Sequence, residues 1–236
     1  MHRQTPSPGN VGIDHSDAAP ELPEPLSSCR RCARLTAFRR DNVRTEPGWF
    51  NAPVPSFGDA SARVLIVGLA PGLRGANRTG RPFTGDFAGD LLYATLLQYG
   101  FARGVYGADP ADGLTLIETM ITNSVRCVPP ENKPTGGEIT ACRSFLAARI
   151  LSLPRLQAIV VLGKIAHDST LQALGVRKSS FPFKHGARHE IRPGLAVFDS
   201  YHCSRYNTNT GRLTPDMFHG VFAHLRAYVD AAAPPA

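Results

Sequence analysis

Four of the five cysteines have a spacing that could hold a metal ion or an iron–sulfur cluster. Cys29 and Cys32 form a Cys-x-x-Cys pair, and Cys127 and Cys142 could complete a four-sulfur site if they fold against that pair. Zinc and a [4Fe–4S] cluster both accept four thiolates, so spacing alone leaves the metal open. The alternative is that Cys127 and Cys142 are buried apolar thiols and the pair is incidental. Cys203 lies in a polar segment, where we expect a free thiol.

A glycine-rich segment, residues 68–86, follows an apolar run and has the composition of a ligand-binding loop. Glycine permits close approach of a ligand or another backbone, and proline stiffens the path between glycines. The segment lacks the Gly-Lys-Ser/Thr ending of a P-loop, and no acidic residue is placed at a second strand end to bind ribose, which disfavours NTP or NAD. A tight strand–helix turn would explain one or two of the glycines. It would not explain Phe83, an aromatic ring that could stack on a planar ligand.

Asn123 and His202 could each contact such a ligand. The amide of Asn123 offers a donor and an acceptor, which match one edge of a nucleobase, although asparagine at a strand end is also a common turn former. His202 could be a core histidine, a surface histidine or the donor to an anion on a leaving group. Arg205 and Arg212 enclose an Asn-Thr-Asn-Thr sequence that begins at Asn207 and is typical of a phosphate-contacting loop. A solvated polar loop is the alternative.

Repeated strand–helix units must position these residues. Apolar runs predict strands at 64–67, 120–125, 158–162 and 195–199. Helical spacing predicts helices at 88–99, 135–151, 164–174 and 214–231, with Asp86 and Thr135 as capping residues. These units predict an α/β fold, a three-layer αβα arrangement with a central, mostly parallel, four-stranded sheet. Because the carboxyl ends of parallel strands share one edge, the segments after the first, second and fourth strands should meet there.

Charge and composition restrict the partner and the compartment. The chain has 236 residues with 26 Lys and Arg against 19 Asp and Glu, and its net charge of +7 favours a polyanion such as nucleic acid. No apolar run approaches the ~20 residues that span a bilayer, and the N-terminus lacks the apolar core of a signal peptide. We therefore expect a cytoplasmic protein that acts at the nucleoid, without membrane association. Irregular cysteine spacing argues against a disulfide framework.

Composition also predicts one folded domain, residues 27–231, between two disordered ends. Residues 1–26 and 232–236 contain few large apolar groups and cannot offset the entropy of ordering. From Cys29 to Asp59, turn residues surround the only tryptophan, Trp49. We expect this part to be an irregular subregion that packs on the core.

Several motifs together resemble the uracil-DNA glycosylase superfamily, and most of all its family 5, the iron–sulfur-containing type B enzymes. The motifs are Gly-Leu-Ala-Pro-Gly at 68–72, Asn-Arg-Thr-Gly-Arg-Pro-Phe-Thr-Gly-Asp at 77–86, Asn-Ser-Val-Arg-Cys-Val-Pro-Pro at 123–130 and the His-Cys-Ser-Arg-Tyr-Asn segment from residue 202. The resemblance runs from about residue 29 to residue 230. It implies a monofunctional glycosylase that leaves an abasic site, with a structural [4Fe–4S] cluster on Cys29, Cys32, Cys127 and Cys142.

The resemblance also implies roles for residues of the polar segments. An enzyme that acts on a base in a duplex must flip the nucleotide out, stack the base and read its edge. Phe83 would be the stacking ring, Asn123 the edge reader, and His202 the group that stabilises charge on the departing base. The remaining implied substrate-binding positions are Gly68, Ala70 and Gly72, and the implied DNA-binding positions are Arg205, Asn207 and Arg212.

Two departures from related families affect the mechanism and the loop. Where those families often carry an acid that positions the attacking water, this chain has Leu69 and Ala70, and the nearest polar candidates are Asn77 and Asp86. Family 5 likewise lacks the acid, and its members tend to accept several bases, including hypoxanthine and ethenocytosine. Cys203 stands where the usual pattern is His-Pro-Ser, and loss of that proline could loosen the loop.

These observations predict a monomeric DNA glycosylase of broad base range that acts on damaged bases in double- and single-stranded DNA. The alternative is a non-catalytic iron–sulfur protein that binds nucleic acid as a sensor or scaffold. A nucleotide-binding enzyme that uses the glycine-rich loop is a third reading, and the absent Gly-Lys-Ser/Thr counts against it.

Overall fold

The computed structural model describes residues 23–231, and the predicted disorder at 1–22 and 232–236 lies outside them. Within the described range the strands are β1 (Phe57–Gly58), β2 (Val64–Gly68), β3 (Ala102–Arg103), β4 (Thr115–Leu116), β5 (Thr119–Asn123), β6 (Ala158–Leu162), β7 (Arg188–Arg192) and β8 (Leu195–Ser200). The α-helices there are α1 (Ala33–Thr45), α2 (Ala76–Thr79), α3 (Phe87–Gln98), α4 (Gly136–Leu151), α5 (Lys164–Ala173), α6 (Arg205–Asn209) and α7 (Pro215–Ala231).

Across residues 23–231 the main sheet has six strands in the order β1-β5-β2-β6-β8-β7. The four predicted strands form its centre, and β5, β2, β6 and β8 pair in parallel. The predicted α/β class is confirmed, but a four-stranded sheet was two strands too few, since β1 and β7 pair antiparallel at the edges. β1 has two residues and β7 alternates exposed charged residues with half-buried ones. Neither edge strand therefore has the continuous apolar run of a central strand.

Helices cover both faces of the sheet. Successive side chains of a strand point to opposite faces, so β2 contributes Ile66 to one core and Leu65 to the other. Ile66 belongs to the core that includes Leu92 of α3 and Phe222 of α7. Leu65 belongs to the core that includes Leu146 of α4. The result is the three-layer arrangement that the repeated strand–helix units predict.

The capping residues act as the sequence predicts. Asp86 begins α3 by accepting a hydrogen bond from the backbone N–H of Gly89 at 3.2 Å. At the start of α4, the backbone N–H of Thr135 donates to Glu138 Oε2 at 2.7 Å, and the backbone N–H of Glu138 donates to Thr135 Oγ1 at 3.3 Å. These bonds satisfy amide groups that have no partner within the helix.

The region expected to be irregular contains a helix of 13 residues, α1. Its buried positions, Leu35, Arg39 and Asn42, have helical spacing, but two of the three are polar. An apolar period is therefore absent from the sequence, and the helix was missed. Arg39 donates to the backbone carbonyls of Cys29 at 2.6 Å and Ser27 at 3.1 Å, which ties α1 to the segment before it.

Residues 23–26, which composition assigned to the disordered end, contact the folded chain. The Glu24 carboxylate accepts hydrogen bonds from Arg126 Nη1 at 2.8 Å and Arg149 Nη2 at 2.5 Å. Arg126 is buried and also donates to the carbonyl of Pro23 at 3.1 Å. A buried guanidinium needs such partners, so this contact orders a short segment whose composition alone would not.

A second, two-stranded sheet in the described chain is the hairpin of β3 and β4, in which Ala102 pairs with Leu116. Its loop, residues 104–114, returns to the glycine-rich segment. No helix within residues 23–231 combines the length and the apolar character that crossing a bilayer requires.

Candidate active site

The three polar segments meet at one edge of the sheet, as their positions after β2, β5 and β8 predict. They enclose a cavity of about 600 Å³. Its walls in the described chain are residues 69–76, Phe83, Asp86, Phe87, Ala88, Asn123, Asn132, His202, Ser204 and Arg205. A cavity of this size can hold a flipped nucleoside.

Phe83, Asn123 and Gly68 form one packed unit at the cavity. A Cβ atom at Gly68 would lie 2.4 Å from Asn123 Oδ1 and 2.6 Å from Phe83 Cζ. Gly68 itself is buried and is not among the described residues that line the cavity. Gly68 has a packing role, in which the absent side chain lets Phe83 and Asn123 approach each other, and its contact with a ligand stays a prediction.

Asn123 presents an unused acceptor at the end of β5. Its side chain is 3% exposed, and Oδ1 has no hydrogen-bond partner among the described residues. The loop around it is fixed, because Ser124 N–H donates to Gly68 O and Val125 N–H donates to Leu69 O, each at 2.9 Å. A buried amide without a partner is costly unless a ligand supplies one. Asn123 is thus suited to pair with a polar edge.

His202 lies across from Phe83, with 6.0 Å between the ring centroids and 31° between the ring planes. Burial lowers the pKa of His202 to about 4, so the imidazole is neutral at pH 7 and keeps one N–H donor. Asn207 Nδ2 donates to the carbonyl of His202 at 2.8 Å, and Ser204 Oγ accepts from Asn207 N–H at 3.4 Å. Asn207 therefore holds the backbone of His202 and, within the described chain, is not part of the cavity wall.

A buried His–Asp–His network anchors the strand that leads to His202. Asp199 Oδ1 lies 2.7 Å from His167 Nδ1, and Asp199 Oδ2 lies 2.9 Å from His189 Nε2. His167 Nε2 lies 2.8 Å from the carbonyl of Phe181. Because both ring nitrogens of His167 face oxygen acceptors, the ring is an imidazolium when both bonds form. Burial opposes that charge, but the hydrogen bond to Asp199 raises the pKa of His167 above its ordinary value. The network joins α5, β7 and β8 and was missed in the sequence.

Asp86 and Asn77, the two predicted polar candidates for holding water, have different surroundings. Asp86 lines the cavity, and its Oδ2 fills the space that a Cβ at Gly75 would need, 2.4 Å away. Burial raises the pKa of the Asp86 carboxyl. Asn77 is fully buried behind the wall, where its Nδ2 donates to Asn51 Oδ1 at 2.8 Å. Asn77 is thus outside the cavity wall of the described chain, and its role in holding water stays a prediction. Proximity in sequence did not reveal which side of the four-residue helix α2 it occupies.

Ala70 and Gly72, two predicted substrate-binding positions, both line the cavity. Ala70 also packs against the apolar cluster that contains Cys127 and Cys142. Ala70 thus contacts both the cavity and the apolar cluster around these two cysteines.

The rim of the cavity carries exposed groups that could face DNA. Arg205 lines the cavity and its guanidinium lies 5.3 Å from the centroid of the Phe87 ring. Arg212 is exposed outside the cavity wall of the described chain, and its guanidinium lies 4.8 Å from the centroid of the Tyr201 ring. The sequence prediction missed Tyr206, whose side chain follows Arg205 and is 72% exposed. An aromatic residue within a polar loop was the available signal.

The structure brings Cys29, Cys32, Cys127 and Cys142 together around one small pocket. Cys127 and Cys142 are buried, whereas Cys29 and Cys32 are half-buried. Burial raises the pKa of the Cys127 thiol to about 12, and the pKa values of Cys32 and Cys142 are raised for the same first reason. Such thiols ionise only when a cation compensates the charge. They are accordingly suited to bind a metal centre rather than to remain free thiolates.

Cys203 is a free, buried thiol apart from these four, as predicted. Its Sγ donates to the carbonyl of Ala88 at 3.4 Å. The contact attaches the His202 segment to the start of α3.

Comparison with known proteins agrees with this arrangement. The family model for the uracil DNA glycosylase superfamily matches residues 55–226. A type-5 uracil-DNA glycosylase of Thermus thermophilus is 46% identical over 199 residues, covering 82% of this chain and 90% of that protein. Type-5 uracil-DNA glycosylases of Mycobacterium leprae and Pyrobaculum aerophilum are 42% and 39% identical, covering 86% and 87% of this chain and 92% and 90% of their own lengths.

The chain therefore belongs to the uracil-DNA glycosylase superfamily, the class that its motifs resemble. Its relatives at 39–46% identity are all type-5 enzymes, and within the superfamily the chain is a type-5 member.

Proposed function

We propose that this protein is a monofunctional uracil-DNA glycosylase that hydrolyses the N-glycosidic bond of uracil in DNA and leaves an abasic site for repair. The observation that carries the proposal is the meeting of Phe83, Asn123 and His202 around one cavity. An aromatic ring, an unpaired amide and a neutral imidazole are the groups needed to stack a base, read its edge and stabilise it as it departs. The printed names of the type-5 relatives support uracil as a substrate.

In the proposed reaction, His202 acts on the leaving base and Asp86 acts on the attacking water. The bond from C1′ to the base nitrogen breaks and its electron pair moves to the base, where a neutral His202 donates a hydrogen bond to the developing anion. Water attacks C1′, and its proton passes to the Asp86 carboxylate, which faces the cavity. Asp86 also stabilises positive charge on the sugar. The raised pKa of Asp86 favours proton uptake at the end of this step.

The same cavity supports a range of substrates that includes hypoxanthine and ethenocytosine. Leu69 and Ala70 line this wall, and their side chains are apolar and carry no polar group that a particular base edge must match. Selectivity then depends on stacking against Phe83 and on the single amide of Asn123, which tolerate more than one base.

We also propose that Cys29, Cys32, Cys127 and Cys142 hold a [4Fe–4S] cluster. The four thiols share one largely apolar pocket, which fits a centre that compensates their charge. A single tetrahedral zinc with Zn–S bonds of ~2.3 Å would need sulfurs roughly 3.8 Å apart. Among the described residues, no three of these cysteines form a group whose sulfurs all lie within 4.8 Å. When bound, the cluster would link the segment that precedes α1, the helix α4 and the segment after β5.

Iron, sulfide and zinc analysis of the purified protein, together with its visible absorption spectrum, tests the cluster. Near-equal amounts of iron and sulfide, together with broad absorption of visible light, would support the cluster. Zinc in place of iron and sulfide would overturn it.

DNA binding in this proposal depends on the exposed groups beside the cavity. Arg205 and Arg74 are exposed at the wall, and Tyr206, the next residue after Arg205, adds an exposed ring. Arginine side chains neutralise phosphates, and an aromatic ring can occupy the gap that a flipped base leaves. We expect the protein to act as a monomer on both duplex and single-stranded DNA.

Excision assays test the activity. Purified protein is incubated with duplex and single-stranded oligonucleotides that carry one uracil, hypoxanthine or ethenocytosine, and abasic sites are then cleaved with alkali. Release of uracil supports the proposal, and release of the other two bases supports the wider range. DNA binding without release of any base would overturn the proposal in favour of the sensor or scaffold alternative.

A His202→Ala variant tests the assigned chemistry. It should lose excision rate with little change in DNA affinity, whereas His224→Ala, an exposed position on α7 outside the described cavity wall, should retain both. Full activity of His202→Ala would contradict the role of His202.

A further inference from the structure

We propose that Tyr106, carried by the hairpin of β3 and β4, is a positioning residue for Phe83. Its hydroxyl holds the backbone of Phe83 in the conformation that turns the ring into the cavity. The inference deepens the proposed function, since it rests on Phe83 as the stacking ring.

The backbone of Phe83 requires such support. Its φ is 53°, a left-handed conformation that a bulky residue rarely adopts because it is sterically unfavourable. Conformations of this kind persist only where the surroundings determine them. Without contacts on both sides, the segment would relax to negative φ and the ring would leave its position beside Asn123 and His202.

Tyr106 provides contacts on both sides of Thr84. Its hydroxyl donates to the carbonyl of Phe83 at 3.2 Å and accepts from the backbone N–H of Gly85 at 3.4 Å. The glycine at position 89 makes the approach possible, because a Cβ there would lie 1.9 Å from Phe83 O and 2.5 Å from Tyr106 Oη.

The hairpin loop is locked onto the same segment by a buried ion pair. Arg81 donates to both carboxylate oxygens of Asp112, at 2.8 and 2.7 Å, and each side chain is about 5% exposed or less. Arg81 Nε also donates to Thr84 Oγ1 at 2.7 Å. Asp112 in turn accepts from the backbone N–H groups of Gly107 and Leu114, at 2.9 and 3.0 Å, which closes the hairpin loop.

A second tyrosine completes the support. The ring of Tyr93 stacks on that of Tyr106, with centroids 4.5 Å apart, and its hydroxyl donates to the carbonyl of Pro82 at 2.7 Å. Neither tyrosine nor Asp112 is among the described residues that line the cavity. These groups can therefore influence a bound base only through Phe83 and its neighbours.

The test begins with Tyr106→Phe, which removes the hydroxyl and keeps the stacked ring. Single-turnover excision of uracil from duplex DNA should slow by about tenfold, because a small displacement of a positioning group is costly. The affinity for DNA should stay within about twofold of the wild-type value, because it depends mainly on exposed arginines. The control is Tyr228→Phe, whose ring packs on Phe198 outside the described cavity wall and which should keep the wild-type rate.

A double-mutant comparison separates positioning from a general structural effect. If Tyr106 acts through Phe83, Tyr106→Phe should cause no further loss of rate in a Phe83→Leu background. Asp112→Asn, a second variant that weakens the same support, should behave likewise. All rates are measured at a temperature where thermal unfolding shows each variant to be folded.

The outcomes distinguish this inference from the proposed function. If Phe83→Leu alone keeps the wild-type rate, the stacking role in the proposed function fails. If Phe83→Leu is slow but Tyr106→Phe is not, only the present inference fails. Equal losses from Tyr106→Phe in both backgrounds would also overturn it, because the hydroxyl would then act independently of Phe83.

Discussion

Replacing Gly68 with alanine should slow base excision strongly in a protein that still folds. Gly68 ends strand β2 and its backbone suits any residue, so the substitution adds one methyl group without a conformational penalty. That methyl carbon would lie 2.4 Å from Asn123 Oδ1 and 2.6 Å from Phe83 Cζ. Ordinary contacts between carbon atoms are about 3.5–4.0 Å, so Phe83 must retreat by roughly 1 Å.

The displacement affects the two groups proposed to hold the base. A shift of about 1 Å in a positioning group can cost ~10²-fold in rate, which is the loss we expect. Overpacking of a well-packed site costs about 1–3 kcal/mol, so the variant should be less stable but folded. The Gly68→Ala variant should thus lose excision rate while it remains folded.

Single-turnover excision from a uracil-containing duplex measures the rate, and urea unfolding measures the stability. Gly220→Ala is the matched control, because its Cβ would meet no described atom within 4 Å in the middle of α7. That variant should keep the wild-type rate and gain about 0.5–1 kcal/mol in free energy of unfolding. A folded Gly68→Ala protein with a rate within about twofold of wild type would refute the packing argument.

Further predictions concern titration and charge. In an NMR titration, the His202 ring should stay neutral through pH 6 and protonate near its pKa of about 4; a midpoint near 6.5 would contradict its burial. Asp86→Asn keeps a good helix cap but removes the charge, so excision should slow by about 10²-fold or more with little loss of stability. Because the pKa of the Asp86 carboxyl is raised, the wild-type rate should fall with decreasing pH at a pH above the ordinary carboxyl pKa, and the Asn variant should lack this fall. The hydrogen bond to Asp199 raises the pKa of His167, so this pair stabilises the fold below the ordinary histidine pKa, and the stabilisation is lost as pH rises through the raised pKa. The free energy of unfolding in urea should therefore fall as pH rises through that range. Asp199→Asn should make this fall smaller.

The parts of the fold that were predictable are those with local signals. Strands β2, β5, β6 and β8 are continuous apolar runs, and the cap at Asp86 is visible in the sequence. The helix α1 was not predictable by the same rule, because Arg39 and Asn42 occupy two of its buried positions. Its stability depends on contacts with distant segments, which a local pattern does not contain.

The candidate site was predictable in position and less so in detail. The order of strands places Asn123 and His202 at one edge, and resemblance to a family grouped the four cysteines. The surroundings of Asn77 could not be read from the sequence, because only the packed structure shows that its amide donates to Asn51. Tyr106 was not identified at all, since its bonds to Phe83 and Gly85 join segments about twenty positions apart in the chain.

The position of Ala70 between the cavity and the cysteine-containing cluster limits which substitutions this protein can accept there. A larger side chain at that position would have to enter either the cavity or the apolar cluster around Cys127 and Cys142. Natural variation that reshapes the base pocket at residue 70 therefore also alters the surroundings of the proposed metal centre. Neighbouring positions such as Leu69, which lines the cavity without belonging to that cluster, are the freer route to a changed substrate preference.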